Sequence, residues 1–288
     1  MNFSASNGAR FDDLVLDWGA HRRPEDGMCV MEAVSYLAGE PFGDRPPCGS
    51  RVVGAFLRRW NDDLGDADRQ ILKRYIPRLL DSSPGHENEQ AWLTSDWLVR
   101  ELAPAFLRLA DLGDHADTLE GLPPLTGREQ AEAALPSVRA AQAAAAEASV
   151  LLRPGGREGG RDPVTLASHA AAWAMAWEAA RSAGWSAAGS AMWALADNGG
   201  DPPWTTVGDA ARIGAWDAAR KTAWDAASPA AHGAPPEENG DAAWVAARDA
   251  TRAVFRPAVE ALRGRALALV DRMLLLEADA RSGSPPRG

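Results

Sequence analysis

The chain has 288 residues, 46% hydrophobic and 24% charged, with 30 Lys and Arg against 40 Asp and Glu for a formal net charge of -10. Its length is close to twice the roughly 150 residues of a typical domain, so one large domain or two modest ones fit it. The composition excludes disordered, collagen-like, coiled-coil and disulfide-scaffold classes, and the acidic field disfavours binding to nucleic acid or to anionic membrane.

Isoleucine occurs only at Ile71, Ile76 and Ile213 while Ala is heavily used, so strand formers are scarce and the best helix former is abundant. An all-α fold is expected. The first helix is predicted over residues 28–37, MCVMEAVSYL, stopped by Gly39 and Pro41. A loop rich in Pro and Gly leads through Cys48 to a second helix in which Val52, Val53, Phe56, Leu57 and Trp60 recur at helical spacing, ended by residues 61–63. Residues 66–80 give a third, with Pro77 expected to kink or shorten it. A fourth amphipathic stretch carries Trp92, Leu93, Trp97, Leu98 and Leu102, and Pro104 opens a further turn. Thr126 and Glu129 have capping-box spacing for a helix through Ala133, Pro136 ends that helix or starts the next, and residues 138–152 are expected to form an Ala-rich helix.

Residues 153–163, RPGGREGGRDP, form the clearest linker, which divides an N-terminal helical domain of residues 1–152 from an Ala/Trp-rich helical array of residues 162–280 and a disordered tail of residues 281–288. In the array the unit W-x-A-A-R occurs at Trp177 and Arg181, Trp216 and Arg220, and Trp244 and Arg248, with Trp224 heading a partial copy. Positions i and i+4 share a helix face, so each unit is expected to lay its guanidinium on its own indole. The unit spacings of 39 and then 28 residues make the repeat degenerate, and breaks at residues 197–203 and 228–240 divide the array into three helices.

Chemistry is densest in residues 25–49. Cys29 in the first turn of the first helix is a candidate nucleophile, since unpaired backbone N–H groups and the helix dipole stabilise a thiolate, with Glu32 on the next turn. The pattern GMCVMEAVSYLAG faintly resembles the cysteine-bearing helix of papain-like enzymes, but His86, His115, His169 and His232 show no context that marks a base. Alternatively Cys29, Glu32, Asp44 and Cys48 converge on a zinc or iron ion, or both cysteines simply pack as small hydrophobes. Asp111, Asp114, His115 and Asp117 form either a cation site or a solvated helix end. The Trp ladder is either core or an interaction surface, with twelve Trp against two Tyr.

The blocks MCVMEAVSYLAGEPFGDRPPC, VVGAFLRRWNDDL, LKRYIPRLL and AWLTSDWLVR, the Ala/Trp/Arg half and the closing LALVDRMLLLE together resemble an uncharacterised family of actinobacterial and phage proteins. The resemblance covers most of the chain and implies a shared N-terminal block; members carry a His after the loop Asp, where this chain has Arg45.

The first residues hold Arg10, Asp12 and Asp13 and no apolar signal-peptide core, and residues 267–276 are interrupted by Asp271 and Arg272, so a cytoplasmic protein off the membrane is expected. Its leading reading is a helical binding or adaptor protein whose Trp and Arg surface engages a protein partner or itself. The alternative is a small-molecule enzyme with a cysteine-based site, nucleophilic or metal-ligating, in residues 28–48. No particular cofactor is indicated.

Overall fold

A computed structural model of the chain describes residues 14–80, 85–150, 162–196, 201–235 and 239–282. Among these residues all regular structure is helical, so the fold is all-α. No helix among them is long and apolar enough to cross a membrane. The chain divides into two compact units, neither continuous in sequence: Met1–Thr94, Ser186–Thr205 and Leu267–Gly288 form the first, and Ser95–Trp185 with Thr206–Ala266 the second. Most of the linker expected at residues 153–163 lies outside the described residues, as do residues 283–288 of the expected tail.

In the first unit α1 (Val30–Ala38) is preceded by an extended segment and closed by Gly39 in the left-handed conformation, the position where the sequence stops it. α2 (Arg51–Asp63) starts at the Ser50 cap, whose hydroxyl accepts from the Val53 N–H. Val30, Met31 and Val34 of α1, with Val52, Val53, Phe56, Leu57 and Trp60 of α2, are all buried to 1% exposure or less. Truncating one of these aliphatic side chains costs about 2–5 kcal/mol. Phe56 and Trp60, one turn apart, meet edge to face at 5.5 Å. The last carbonyls of α2 are not left bare: the buried Arg69 donates to Asn61 O at 2.7 Å and to Leu64 O at 2.8 Å.

The single helix expected over residues 66–80 is three pieces: α3 (Asp66–Arg69), a 3₁₀ segment Gln70–Tyr75 and α4 (Ile76–Leu80). Pro77 has no N–H to return to Lys73, and the backbone tightens just ahead of it. Late chain segments complete this unit. Tyr75 donates its hydroxyl to Leu267 O at 2.9 Å, Gln90 donates to Met273 O at 3.1 Å, and Arg78 pairs with Asp271. Trp204 lies edge to face with Trp92 at 5.7 Å and donates its indole N–H to Met192 O.

The second unit begins within α5 (Glu87–Trp97), which runs through a π turn, Leu98–Leu102, into α6 (Ala103–Leu109). Pro104 falls at the start of α6, directly after the π turn. Beyond it come α7 (Gly113–Glu120), α8 (Arg128–Val150), α9 (Pro163–Ser182), α10 (Trp185–Met192, which passes to the first unit after Trp185), α11 (Thr205–His232) and α12 (Asn239–Ser282, shared by both units).

Three prolines lie inside helices, two of them against the sequence expectation. Pro136 neither ends nor starts a helix but sits inside α8, Pro229 lies inside α11 so that the break expected from residue 228 starts only after His232, and Pro257 lies inside α12. All three are exposed, so the carbonyl each leaves unbonded turns to the solvent side of its helix.

Alanine makes the core of this unit: Ala171, Ala176, Ala218, Ala219, Ala223 and Ala247 are fully buried. Side chains this small let helix backbones come close. At Gly214 of α11 the approach is tighter still, for a Cβ there would stand 3.1 Å from the Gln142 Cα of α8.

Candidate functional site

In the first unit Cys29 is the cap of α1, with extended backbone and 1% exposure. Its sulfur accepts from the Glu32 N–H at 3.5 Å, and the Glu32 carboxylate accepts from the Cys29 N–H at 2.8 Å, which is a capping box built on a thiol in place of a hydroxyl. Glu32, itself 1% exposed, also accepts from the His21 N–H at 2.6 Å and stands 2.9 Å from His21 Nδ1. His21 Nε2 looks the other way, 3.8 Å from the Asp17 carboxylate. Asn61 of α2 ties the same loop down, accepting from the Val30 N–H and donating to Asp17 O. Gly27 belongs to this fit: its φ is 127°, and a Cβ there would lie 2.7 Å from His21 Nε2.

This geometry changes the reading of the cysteines. Burial, reinforced by the neighbouring Glu32 charge, pushes the Cys29 thiol up to about 12, the opposite of what a nucleophile requires. Burial and then Glu40 push the half-buried Cys48 thiol up to about 11. Of the expected ligand set Cys29, Glu32, Asp44 and Cys48, the structure joins Cys29 to Glu32 and pairs the other two elsewhere. Glu32 is committed to His21 and the α1 cap, while Asp44 pairs with Arg58 at 3.4 Å and Cys48 hydrogen-bonds Glu40. Among the described residues no three His, Cys, Asp or Glu side chains gather so as to hold a metal ion. The acidic group at residues 111–117 serves the surface: Asp117 and Glu120 clasp Arg108, and Asp111 lies 4.0 Å from Lys221.

His21 was missed by sequence reasoning. It reads there as part of a short basic run with Arg22 and Arg23, and its partner Glu32 stands eleven positions away across a loop with no recognisable motif.

In the second unit the structure gathers four indoles from α9, α10 and α11. Trp216 stands edge to face with Trp173 at 5.2 Å and with Trp177 at 5.6 Å, and Trp185 lies 5.8 Å from Trp177 and 6.0 Å from Trp216. Trp185 is anchored further, donating its N–H to Arg212 O at 2.8 Å while the Arg212 guanidinium covers its ring at 4.4 Å. Arg181 covers Trp177 at 6.0 Å and Arg248 covers Trp244 at 5.2 Å, the pairing expected within a W-x-A-A-R unit.

The middle unit behaves otherwise: Arg220 lies over Trp173 at 5.7 Å, while its own Trp216 is surrounded by three other indoles. One turn further along α11, Trp224 stacks on His169 at 4.1 Å, and burial draws the His169 pKa below the usual 6.5. Most of these rings are half-buried, but Trp173 is 57% exposed and Leu166, two turns earlier on α9, is 53% exposed. Ile213, one turn before Trp216, is 42% exposed.

The chain matches no protein-family model, no curated protein and no solved structure.

Proposed function

We propose that this is a cytoplasmic binding protein that associates with a second copy of itself through the α9 and α11 face of its second unit. The observation that carries the reading is Trp173, more than half exposed yet held by Trp216 at its edge and Arg220 over its ring. A large apolar side chain already fixed in place loses little freedom when a partner covers it, which is the character of an interface anchor. Leu166 and Ile213 extend the apolar surface on either side.

Charge favours a like partner over an acidic or basic one. Arg212 pairs with Asp209, Arg220 with Asp217 and Lys221 with Asp225, so the face carries its own counterions within a chain of net charge -10. Two copies meeting face to face around a two-fold axis bring surfaces together whose charges are already paired within each copy.

Sedimentation equilibrium of the whole chain tests this. The native protein dimerises with rising concentration, whereas the double variant Leu166→Ser, Trp173→Ser remains monomeric with the native helical circular-dichroism spectrum. A native chain that is monomeric throughout, or a double variant that dimerises equally well, overturns the proposal.

A further inference from the structure

Independently of that face, the first unit holds a cavity of 780 Å³ at the N-terminal end of α2. From its lining we infer that the cavity is a binding site for a nucleotide-like ligand, an aromatic ring joined through a sugar to a phosphate. The volume lies within the roughly 300–1,000 Å³ of small-molecule sites.

Three guanidinium groups line it, from Arg45, Arg51 and Arg58, against two carboxylates, Asp44 and Glu87. In a chain with an excess of ten negative charges this is a local reversal of sign. Arg58 is held in place, donating to Asp44 O at 3.0 Å and lying 3.4 Å from the Asp44 carboxylate. Arg51 is similarly tethered 3.6 Å from Glu87, whose carboxylate also accepts the Arg51 N–H at 2.8 Å. Arg45 is exposed and takes no carboxylate among the described residues, so its charge is available to an incoming anion. Guanidinium groups match phosphate oxygens in pairs, and the first turn of α2 adds the positive end of its dipole.

The rest of the lining is suited to the remainder of such a ligand. Trp193, in the short 3₁₀ turn Trp193–Leu195 that packs beside α2, borders the cavity, is 40% exposed as a residue and brings an indole suited to stacking. Met31 and Gly54 line the cavity side by side, and a Cβ at Gly54 would stand 3.3 Å from the Met31 methyl carbon. Asp44 and Glu87 repel a bare anion but accept hydrogen bonds from sugar hydroxyls, which favours a nucleotide over free phosphate.

Isothermal titration of the full chain with adenosine monophosphate, adenosine and inorganic phosphate tests the assignment. Adenosine monophosphate is expected to bind with one site per chain and more tightly than either fragment. Arg45→Glu should weaken it about tenfold or more by placing like charge beside the phosphate. Trp193→Leu should weaken both the nucleotide and adenosine. Arg139→Glu, an exposed charge reversal on α8, serves as the control for loss of net positive charge. Three results overturn the assignment: no saturable nucleotide binding, phosphate binding as well as the nucleotide, or Arg45→Glu behaving like Arg139→Glu. Arg45 is exposed, so Arg45→Glu keeps the native melting curve.

Discussion

The Glu32 carboxylate, almost wholly buried, stands 2.9 Å from His21 Nδ1 and so joins the first turn of α1 to a loop eleven residues upstream. It also accepts the backbone N–H groups of His21 and Cys29. One side chain thus satisfies three donors, and removing it strands all of them in a dry place. Glu32→Ala is expected to cost about 3 kcal/mol in urea unfolding, and Glu32→Gln about half of that because the amide oxygen still accepts. Equal losses in the two variants would show that packing, not hydrogen bonding, is what Glu32 provides.

The cysteines differ in reactivity for reasons of burial. With Cys29 pushed up to about 12 and only 1% exposed, its alkylation at pH 8 should proceed no faster than global unfolding. Cys48 is half-buried and held up in part by Glu40, so Glu40→Gln should raise its alkylation rate while leaving Cys29 unchanged. Mass spectrometry after timed quenching resolves the two sites.

The same thiol has a signature in stability. Its folded pKa is raised, so the unfolded chain releases the proton first; the stabilisation is complete below the ordinary 9.0 and is lost as pH rises towards about 12. Cys29→Ser keeps a capping oxygen and should remove much of this alkaline dependence, whereas Cys29→Ala also loses the cap, at about 1 kcal/mol. Chemical unfolding repeated at pH 8 and pH 10 distinguishes the three proteins.

His169 works in the opposite direction of pH. Burial against Trp224 lowers its folded pKa below 6.5, so its stabilising contribution is present above that value and is lost as the solution is acidified. Thermal melts between pH 7.5 and pH 5.5 should fall less steeply in His169→Gln than in the native chain. Identical slopes would mean that the ring accepts its proton without opening the stack.

Gly214→Ala probes the close approach of α11 to α8. Alanine is ordinarily the better helix former by about 1 kcal/mol, yet here its Cβ would stand 3.1 Å from the Gln142 Cα. The substitution is expected to destabilise by about 1–3 kcal/mol, read as a lower urea midpoint with an unchanged slope. A more stable variant would show that the two helices separate easily.

The helices were legible because their signals are local: Gly39 closing α1 and the apolar spacing from Val52 through Trp60 in α2 each depend on neighbours in sequence. Pro136 and the segment holding Pro229 were read as helix boundaries because a proline's cost depends on which side of the helix it faces, and that is decided by packing. At the candidate sites the same division holds. Two guanidinium–indole pairs follow from i, i+4 spacing, but Arg220 obeys the crowd of rings around Trp216, which only the folded chain assembles. The cavity beside α2 needs Trp193, about 140 positions beyond Arg51, and no spacing rule links them.

The hydrogen bonds from Tyr75 and Gln90 to carbonyls of α12 set an order of events during synthesis. A ribosome that has delivered residues 1–94 has made helices whose buried polar ends still wait for Leu267 and Met273. The first unit therefore cannot finish while its own N-terminal stretch emerges; it closes only after nearly the entire chain is out. A premature stop anywhere before residue 267 leaves Tyr75 and Gln90 without their acceptors and the apolar side chains of α12 missing, a state that cellular proteases and chaperones recognise as unfinished.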